Sequence, residues 1–348
     1  MKPVRGMALW GFFLFLTPAC LAQVPVSSPV PQATEVAVQR LQGEFARAAK
    51  AAGGTLGVSA VHLESGRRVG FHSAERFPMA STYKIPIAFQ VLHRVDQGSL
   101  SLDRMVDLKP GDFHPGSGIL TELLSRSGVS LSVRNLLELM LVVSDNTASD
   151  LLLRLAGGPE AVTARMRGLG IEDMEIHRPT VNMIADSEGY TLPPEKEWKP
   201  DLFRKLYEGT PEEVRKSALR NFQTDPRDTS SPEAMAALLE RIWRGDGLKN
   251  ESRALLLDIL ERCQTGKARI KGILPPGTVV QHKTGSFSGI ANDVGIVALP
   301  EDAGHVAIAV FVKGSEKALW ERERALAQVS RSVYDFFLFQ PGDRGMMK

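Results

Sequence analysis

Cysteine is nearly absent: Cys20 and Cys263 are the only two in the chain. If Cys20 leaves with an N-terminal leader, no intramolecular disulfide remains, and the fold must be stable without staples. The seven histidines show no His-x-x-x-His pair and no His/Cys cluster, which argues against a zinc mechanism. No glycine-rich phosphate loop occurs, so no nucleotide and no other cofactor is implied. The formal charge of +2 is carried by Lys2 and Arg5, both near the N-terminus, and the rest of the chain is balanced. Without a basic patch there is no reason to expect a nucleic-acid partner. Long hydrophobic runs are also missing. The apolar stretch Met7–Leu16 is too short to cross a bilayer as a helix.

What is present at the N-terminus is an export pattern. Lys2 and Arg5 form a positive start, Met7–Leu16 an apolar middle, and Cys20-Leu21-Ala22 a small-residue cleavage site. Residues 1–22 therefore read as a signal peptide, with the mature protein in the periplasm or secreted and carrying no transmembrane anchor. Cys20 is an alternative lipidation site, but Thr17-Pro18-Ala19 before it matches that signal poorly. Residues 23–32 are a Pro/Ser-rich spacer, expected to be extended and disordered. The catalytic body is expected over 33–340, with a loose tail at 341–348. A monomer is expected.

The 33–340 stretch predicts an α+β fold. Residues 33–52 have helical periodicity, and Thr55–Leu63 and Arg67–His72 predict a hairpin around Glu64-Ser65-Gly66. Helical patterns dominate residues 81–266. Val133, Leu136, Leu137 and Met140 recur on one face and stop just before Ser144. Thr147 and Asp150 read as a capping box for the next helix, which stops at Gly157-Gly158. Ser231-Pro232 starts another helix. Thr278–Thr284, Ala291–Leu299 and His305–Lys313 are rich in strand formers, and Ala318–Leu338 predicts a closing helix. The expectation is an antiparallel five-stranded sheet built from both chain ends (33–80 and 267–340), flanked by helices, with an all-helical part inserted. Pro86, inside the helix that follows Ser81, has no explanation at this level.

Three short motifs carry the chemistry. Ser81-Thr82-Tyr83-Lys84 places a hydroxyl and an amine three residues apart at a helix start. Serine is a poor nucleophile unless a partner takes its proton. Lysine can do so only if burial and nearby positive charge lower its pKa, and Lys283 is the candidate source of that charge. Ser144-Asp145-Asn146 follows a helix end. Ser144 there can relay a proton to a leaving nitrogen, and Asn146 has the donor and acceptor to hold a substrate amide. The same three residues are also good material for a plain capping turn. Lys283-Thr284-Gly285 lies on a predicted strand. Lys283 and Thr284 suit a substrate carboxylate, Gly285 allows close backbone approach, and the amides of Ser81 and Ser286 are the expected oxyanion pair. The alternative is an exposed edge strand with a protective lysine.

This motif set is the one already described for class A β-lactamases and penicillin-binding proteins, and the chain resembles the class A serine β-lactamases from about residue 40 to 335. Phe77–Lys84 and Leu92–Gly98 resemble the nucleophile helix, and Asn292-Asp293-Val294-Gly295-Ile296 resembles the strand after Lys-Thr-Gly in the extended-spectrum branch typical of Bacteroidetes. The resemblance implies a β-lactamase/transpeptidase-like fold, acylation of Ser81 and opening of a β-lactam ring. It also implies an omega loop with a glutamate two residues after an arginine, the base of the second half-reaction. Here Arg178-Pro179-Thr180 puts a threonine at that place. Arg227-Asp228-Thr229 resembles the loop's closing segment, with Asp228 expected to pair with Arg178 across the neck. Between them residues 179–226 form a long insert carrying Glu188, Glu195, Glu197, Glu208, Glu212 and Glu213, any of which is a candidate replacement carboxylate. Two further functions stay open on the same residues. One is a D-alanyl-D-alanine carboxypeptidase or penicillin-binding protein that deacylates slowly, with a peptidoglycan stem peptide as ligand. The other is a non-enzymatic β-lactam receptor.

Overall fold

The computed structural model describes Met1 and residues 32–340, apart from Ser127 and Pro200. The leader beyond Met1, the spacer up to residue 31 and the tail at 341–348 lie outside the described residues. In chain order the strands are β1 (Thr55–His62), β2 (Arg68–Phe71), β3 (Phe77–Pro78), β4 (Met105–Asp107), β5 (Ser130–Ser132), β6 (Thr229–Ser230), β7 (Val280–Phe287), β8 (Ile290–Ala298) and β9 (His305–Lys313). The helices are α1 (Gln32–Ala52), α2 (Lys84–Asp96), α3 (Leu120–Leu123), α4 (Val133–Val142), α5 (Asn146–Ala156), α6 (Pro159–Gly168), α7 (Thr180–Glu188), α8 (Leu202–Gly209), α9 (Glu212–Thr224), α10 (Pro232–Arg244), α11 (Asn250–Glu261) and α12 (Leu319–Phe339).

The main sheet has the order β2-β1-β9-β8-β7 and is antiparallel throughout, so strands from the two ends of the chain lie side by side. Strand β9 shows why both faces are covered. Val306, Ile308, Val310 and Val312 point into a cluster with α1 and α12, while Ala307, Ala309 and Phe311 point into the larger core of the helical part. Alternate side chains of a strand face opposite ways, so an unbroken apolar strand needs a layer on each side. On one side α1 and α12 pack on each other and the sheet, and on the other α10 lies across β1 and β9. None of the described helices is long and apolar enough to cross a membrane.

Three expectations need correction. The inserted part is not all-helical: β3 pairs with β6 and β4 with β5, each as a short antiparallel ladder. Helix α1 begins at Gln32, the last residue assigned to the spacer. Thr147 and Asp150 form no capping box, because α5 starts one residue before Thr147. Asp145 is its N-cap, with its carboxylate accepting from the Ala148 amide at 2.9 Å. Pro86 is the third residue of α2, in its first turn, where a missing N–H costs least.

The 179–226 insert is an ordered layer. The Arg178 guanidinium closes its neck, with Nε 2.6 Å from Asp228 Oδ2, Nη2 2.9 Å from Asp225 and Nη1 paired with Asp186. Asp228, at φ +53°, also accepts from the His177 and Arg178 amides. Trp198 and Phe203 stack edge-on against the His114 ring, with centroids 5.5 and 5.9 Å away. Phe222 meets Phe287 at 4.8 Å, and Gln223 Nε2 donates to the Ser288 carbonyl, so α9 reaches the β7–β8 turn. Without Asp228 the Arg178 guanidinium keeps Asp186 and Asp225, but its Nε and the His177 and Arg178 amides lose their buried acceptor. Asp228→Ala is expected to cost about 3–5 kcal/mol in urea unfolding, with faster amide hydrogen exchange across residues 180–224 than across the sheet.

Candidate active site

Ser81 sits in a 3-10 turn, Ala80–Tyr83, that runs directly into α2. Residues three apart eclipse one another in such a turn, so Ser81 and Lys84 fall on one side. The turn is held from outside. Asn292 Nδ2 donates to the carbonyls of Pro78 (2.8 Å) and Met79 (3.0 Å). A Cβ at Gly285 would lie 2.5 Å from the Met79 carbonyl oxygen and 3.0 Å from the Ser81 nitrogen. The sequence assigns Gly285 to ligand approach; in the structure its first use is to let β7 reach the nucleophile turn. Ala80 takes the left-handed conformation, φ +47°, without being glycine.

Three motifs meet at one hydroxyl. Ser144 Oγ accepts from Lys84 Nζ at 3.2 Å and from Lys283 Nζ at 2.9 Å. Lys84 Nζ also donates to the Ser144 carbonyl (2.7 Å) and to Asn146 Oδ1 (2.8 Å), and Lys283 Nζ to the Thr284 carbonyl (2.9 Å). Both ammonium groups are fully buried. Strand β7 is indeed a sheet edge, but its lysine is not the exposed protective kind. Burial, and after it the charge of Lys283, push Lys84 well below the ordinary lysine range, against the pull of Asp145 and Asp150. Burial likewise lowers Lys283 to about 8, opposed by Cys263 and Asp293 and assisted by Arg269. Two lysines that cannot easily both be charged give one of them the means to accept a proton from Ser81.

Ser144 reaches this point because it too is left-handed, φ +61°, at the end of α4. Asp145 beside it accepts from the amides of Ile119, Leu120 and Ala148, and the Asn146 amide donates to the Ser117 carbonyl. The capping reading of Ser-Asp-Asn holds, and it is compatible with the site reading: Asp145 caps α5 and thereby sets where its neighbours Ser144 and Asn146 lie. Asn146 Nδ2 donates to the Pro115 carbonyl.

On the other side, Thr284 Oγ1 lies 2.6 Å from Thr265 Oγ1. Ser286 is exposed and its Oγ accepts from Arg269 Nη2 at 2.6 Å. Arg269 also donates to the carbonyls of Gly285 and Asn292 and pairs with Glu323. Sequence reasoning missed Arg269 and Thr265, because neither stands in a local pattern. It gave Ser144-Asp145-Asn146 as capping material without singling out Asp145, which proves to be the cap.

Thr180 opens α7 with its hydroxyl bound to the Tyr83 hydroxyl, 2.5 Å away. Its amide and that of Val181 donate to the Asp150 carboxylate, which also takes His114 Nδ1 at 2.7 Å. Burial raises Asp150, but the His114 contact and these amides outweigh it and hold the carboxyl below its usual range. Burial, then the charge of Asp150, push the Tyr83 phenol well above its own. Among the candidate replacement acids, Glu195, Glu197, Glu208, Glu212 and Glu213 are all exposed. Glu188 is half-buried, two helical turns along α7 from Thr180.

Comparison with known proteins agrees with this geometry. A family model described as the β-lactamase enzyme family matches residues 39–337. The extended-spectrum β-lactamase PER-1 of Pseudomonas aeruginosa is 31% identical over 272 residues, 76% of this chain and 76% of its own. The β-lactamase AST-1 of Nocardia asteroides is 33% identical over 338 residues, covering 96% and 95%. Among solved structures, an ancestral class A β-lactamase superposes with a TM-score of 0.68 at 33% identity, covering 85% of this chain and 99% of that one. The chain belongs to the class A serine β-lactamase family.

Proposed function

We propose that this protein is an exported serine hydrolase that acylates Ser81 with β-lactams and hydrolyses the β-lactam amide. The observation that carries the reading is the Ser144 hydroxyl shared by two buried ammonium groups beside the Ser81 turn. Neutral Lys84 takes the Ser81 proton, and Oγ attacks the lactam carbonyl. The amides of Ser81 and Ser286 receive the oxyanion. Lys84 returns the proton through Ser144 to the lactam nitrogen as the C–N bond breaks, leaving an ester on Ser81. Lys283, with Thr284, holds the substrate carboxylate, and Asn146 the side-chain amide. Water then cleaves the ester and regenerates Ser81. We place the mature enzyme in the periplasm or outside the cell, as a monomer, after loss of residues 1–22.

A second reading is favoured by one contact. The Thr180 hydroxyl is tied to Tyr83, and threonine supplies no carboxylate to activate water. A D-alanyl-D-alanine carboxypeptidase or penicillin-binding protein with slow deacylation fits that feature. Intact mass after addition of benzylpenicillin separates the two: the hydrolase returns to its free mass as penicillin is consumed, whereas a lasting adduct favours the second reading. Ser81→Ala is expected to lower adduct formation and hydrolysis by about a thousandfold or more. Thr180→Glu is expected to shorten the adduct's lifetime by about tenfold or more; an unchanged lifetime would show that a carboxylate at 180 has no water to activate.

The lysine pKa values set the pH dependence. Lys84 must be neutral, so acylation rises with pH through its lowered titration. Lys283 must stay charged to hold the carboxylate, and a lowered lysine loses its proton sooner. Acylation efficiency is therefore expected to fall as pH rises through about 8. Lys283→Arg should move that alkaline limb upward, because arginine stays protonated; stopped-flow rates between pH 6 and 10 would test it.

A further inference from the structure

The insert builds something besides a roof. Helices α7 and α8 and the loop after α7 form one wall of a cleft of about 370 Å³, lined by Gly116, Ile184, Glu188, Tyr190, Phe203 and Tyr207. It adjoins Asn146: a Cβ at Gly116 would lie 2.7 Å from Asn146 Nδ2 and 3.3 Å from Ile184 Cδ1. Thr180, Ile184 and Glu188 are spaced four apart and share one face of α7. That face runs from the Tyr83 contact beside the nucleophile turn, past Asn146, to the cleft. The walls are mostly apolar and aromatic. Within them Glu188 is half-buried, and among the described residues it accepts no hydrogen bond and forms no ion pair. Two cations are near but neither touches the carboxylate: Arg204, at the rim of the cleft, pairs with Glu208 in solvent, and Arg215 lies over the Tyr207 ring and donates to the Thr210 carbonyl. Burial raises the Glu188 carboxyl, with Arg215 opposing, and burial followed by the Glu188 charge raises Tyr190 to about 12.

We propose that this cleft is a substrate side-chain subsite made by the insert, and that Glu188 binds a terminal ammonium carried on an apolar or aromatic stem beyond the amide held by Asn146. A carboxylate without a partner, at the end of an aromatic-lined trough leading from the amide-binding residue, complements such a side chain in both shape and charge. A charge-assisted hydrogen bond of this kind is worth about tenfold in rate or affinity.

The inference rests on acylation of Ser81, and its test separates the two. Two penicillins are compared that differ only at the end of the side chain, one hexanoyl and one aminohexanoyl. Acylation rates are read by intact mass and expressed as a ratio, which cancels any general loss of activity or fold in a variant. The wild type is expected to favour the aminohexanoyl compound by about tenfold, Glu188→Gln to bring the ratio near one, and Glu188→Lys to invert it. Equal rates in the wild type, or a preference that survives Glu188→Gln, would overturn the subsite while leaving Ser81 acylation intact. If neither compound acylates Ser81, the proposed function fails first. The subsite is then judged by ligand-detected NMR of the free amides, aminohexanamide against hexanamide. Selective binding lost in Glu188→Gln supports it, and indifference overturns it.

Discussion

Two fully buried lysines share one serine hydroxyl, and much of the local architecture serves that contact. Two ammonium groups in a water-poor interior repel each other and lose hydration. The fold offsets this with acceptors, namely Ser144, Asn146 and the Thr284 carbonyl, and with the buried carboxylates of Asp145, Asp150 and Asp293 at longer range. The remaining cost is met by lowering the proton affinity of the pair. The same contact thus keeps Lys84 well below the ordinary lysine range, as the proposed mechanism requires of an amine that must be neutral to act. Ser144 can sit between the two only in a left-handed backbone conformation, stabilised by the Asp145 network.

Much of this was readable from the chain. The three motifs are local, each lies where a helix starts, a helix ends or a strand runs, and the strands of the main sheet follow from runs of strand-forming residues. What escaped reading is non-local. Arg269 reaches Gly285, Asn292 and Ser286 through folding alone. The Thr147/Asp150 capping box failed because Asp145, with a shorter path to the free amides, competes for the same helix end. Asp150 was then free to bind His114 and the start of α7. Gly285 looked like a ligand contact, while its nearest neighbour is the backbone of Met79.

The insert illustrates the same limit. Its acidic composition invited the idea of a substitute base, yet composition cannot say which face a helix turns inward. Once folded, five of the six acids stay in solvent, and the sixth faces a cleft beside Asn146. The neck at Arg178 makes this possible: one guanidinium gathers Asp186, Asp225 and Asp228, so a long segment leaves and rejoins the body at a single point.

The pairing of β1 with β9 joins residues 55–62 to residues 306–313. A ribosome must therefore finish almost the entire polypeptide before the central layer can close, and until then the first hairpin lacks its neighbouring strand. Such late closure slows folding and prolongs an open, threadlike state.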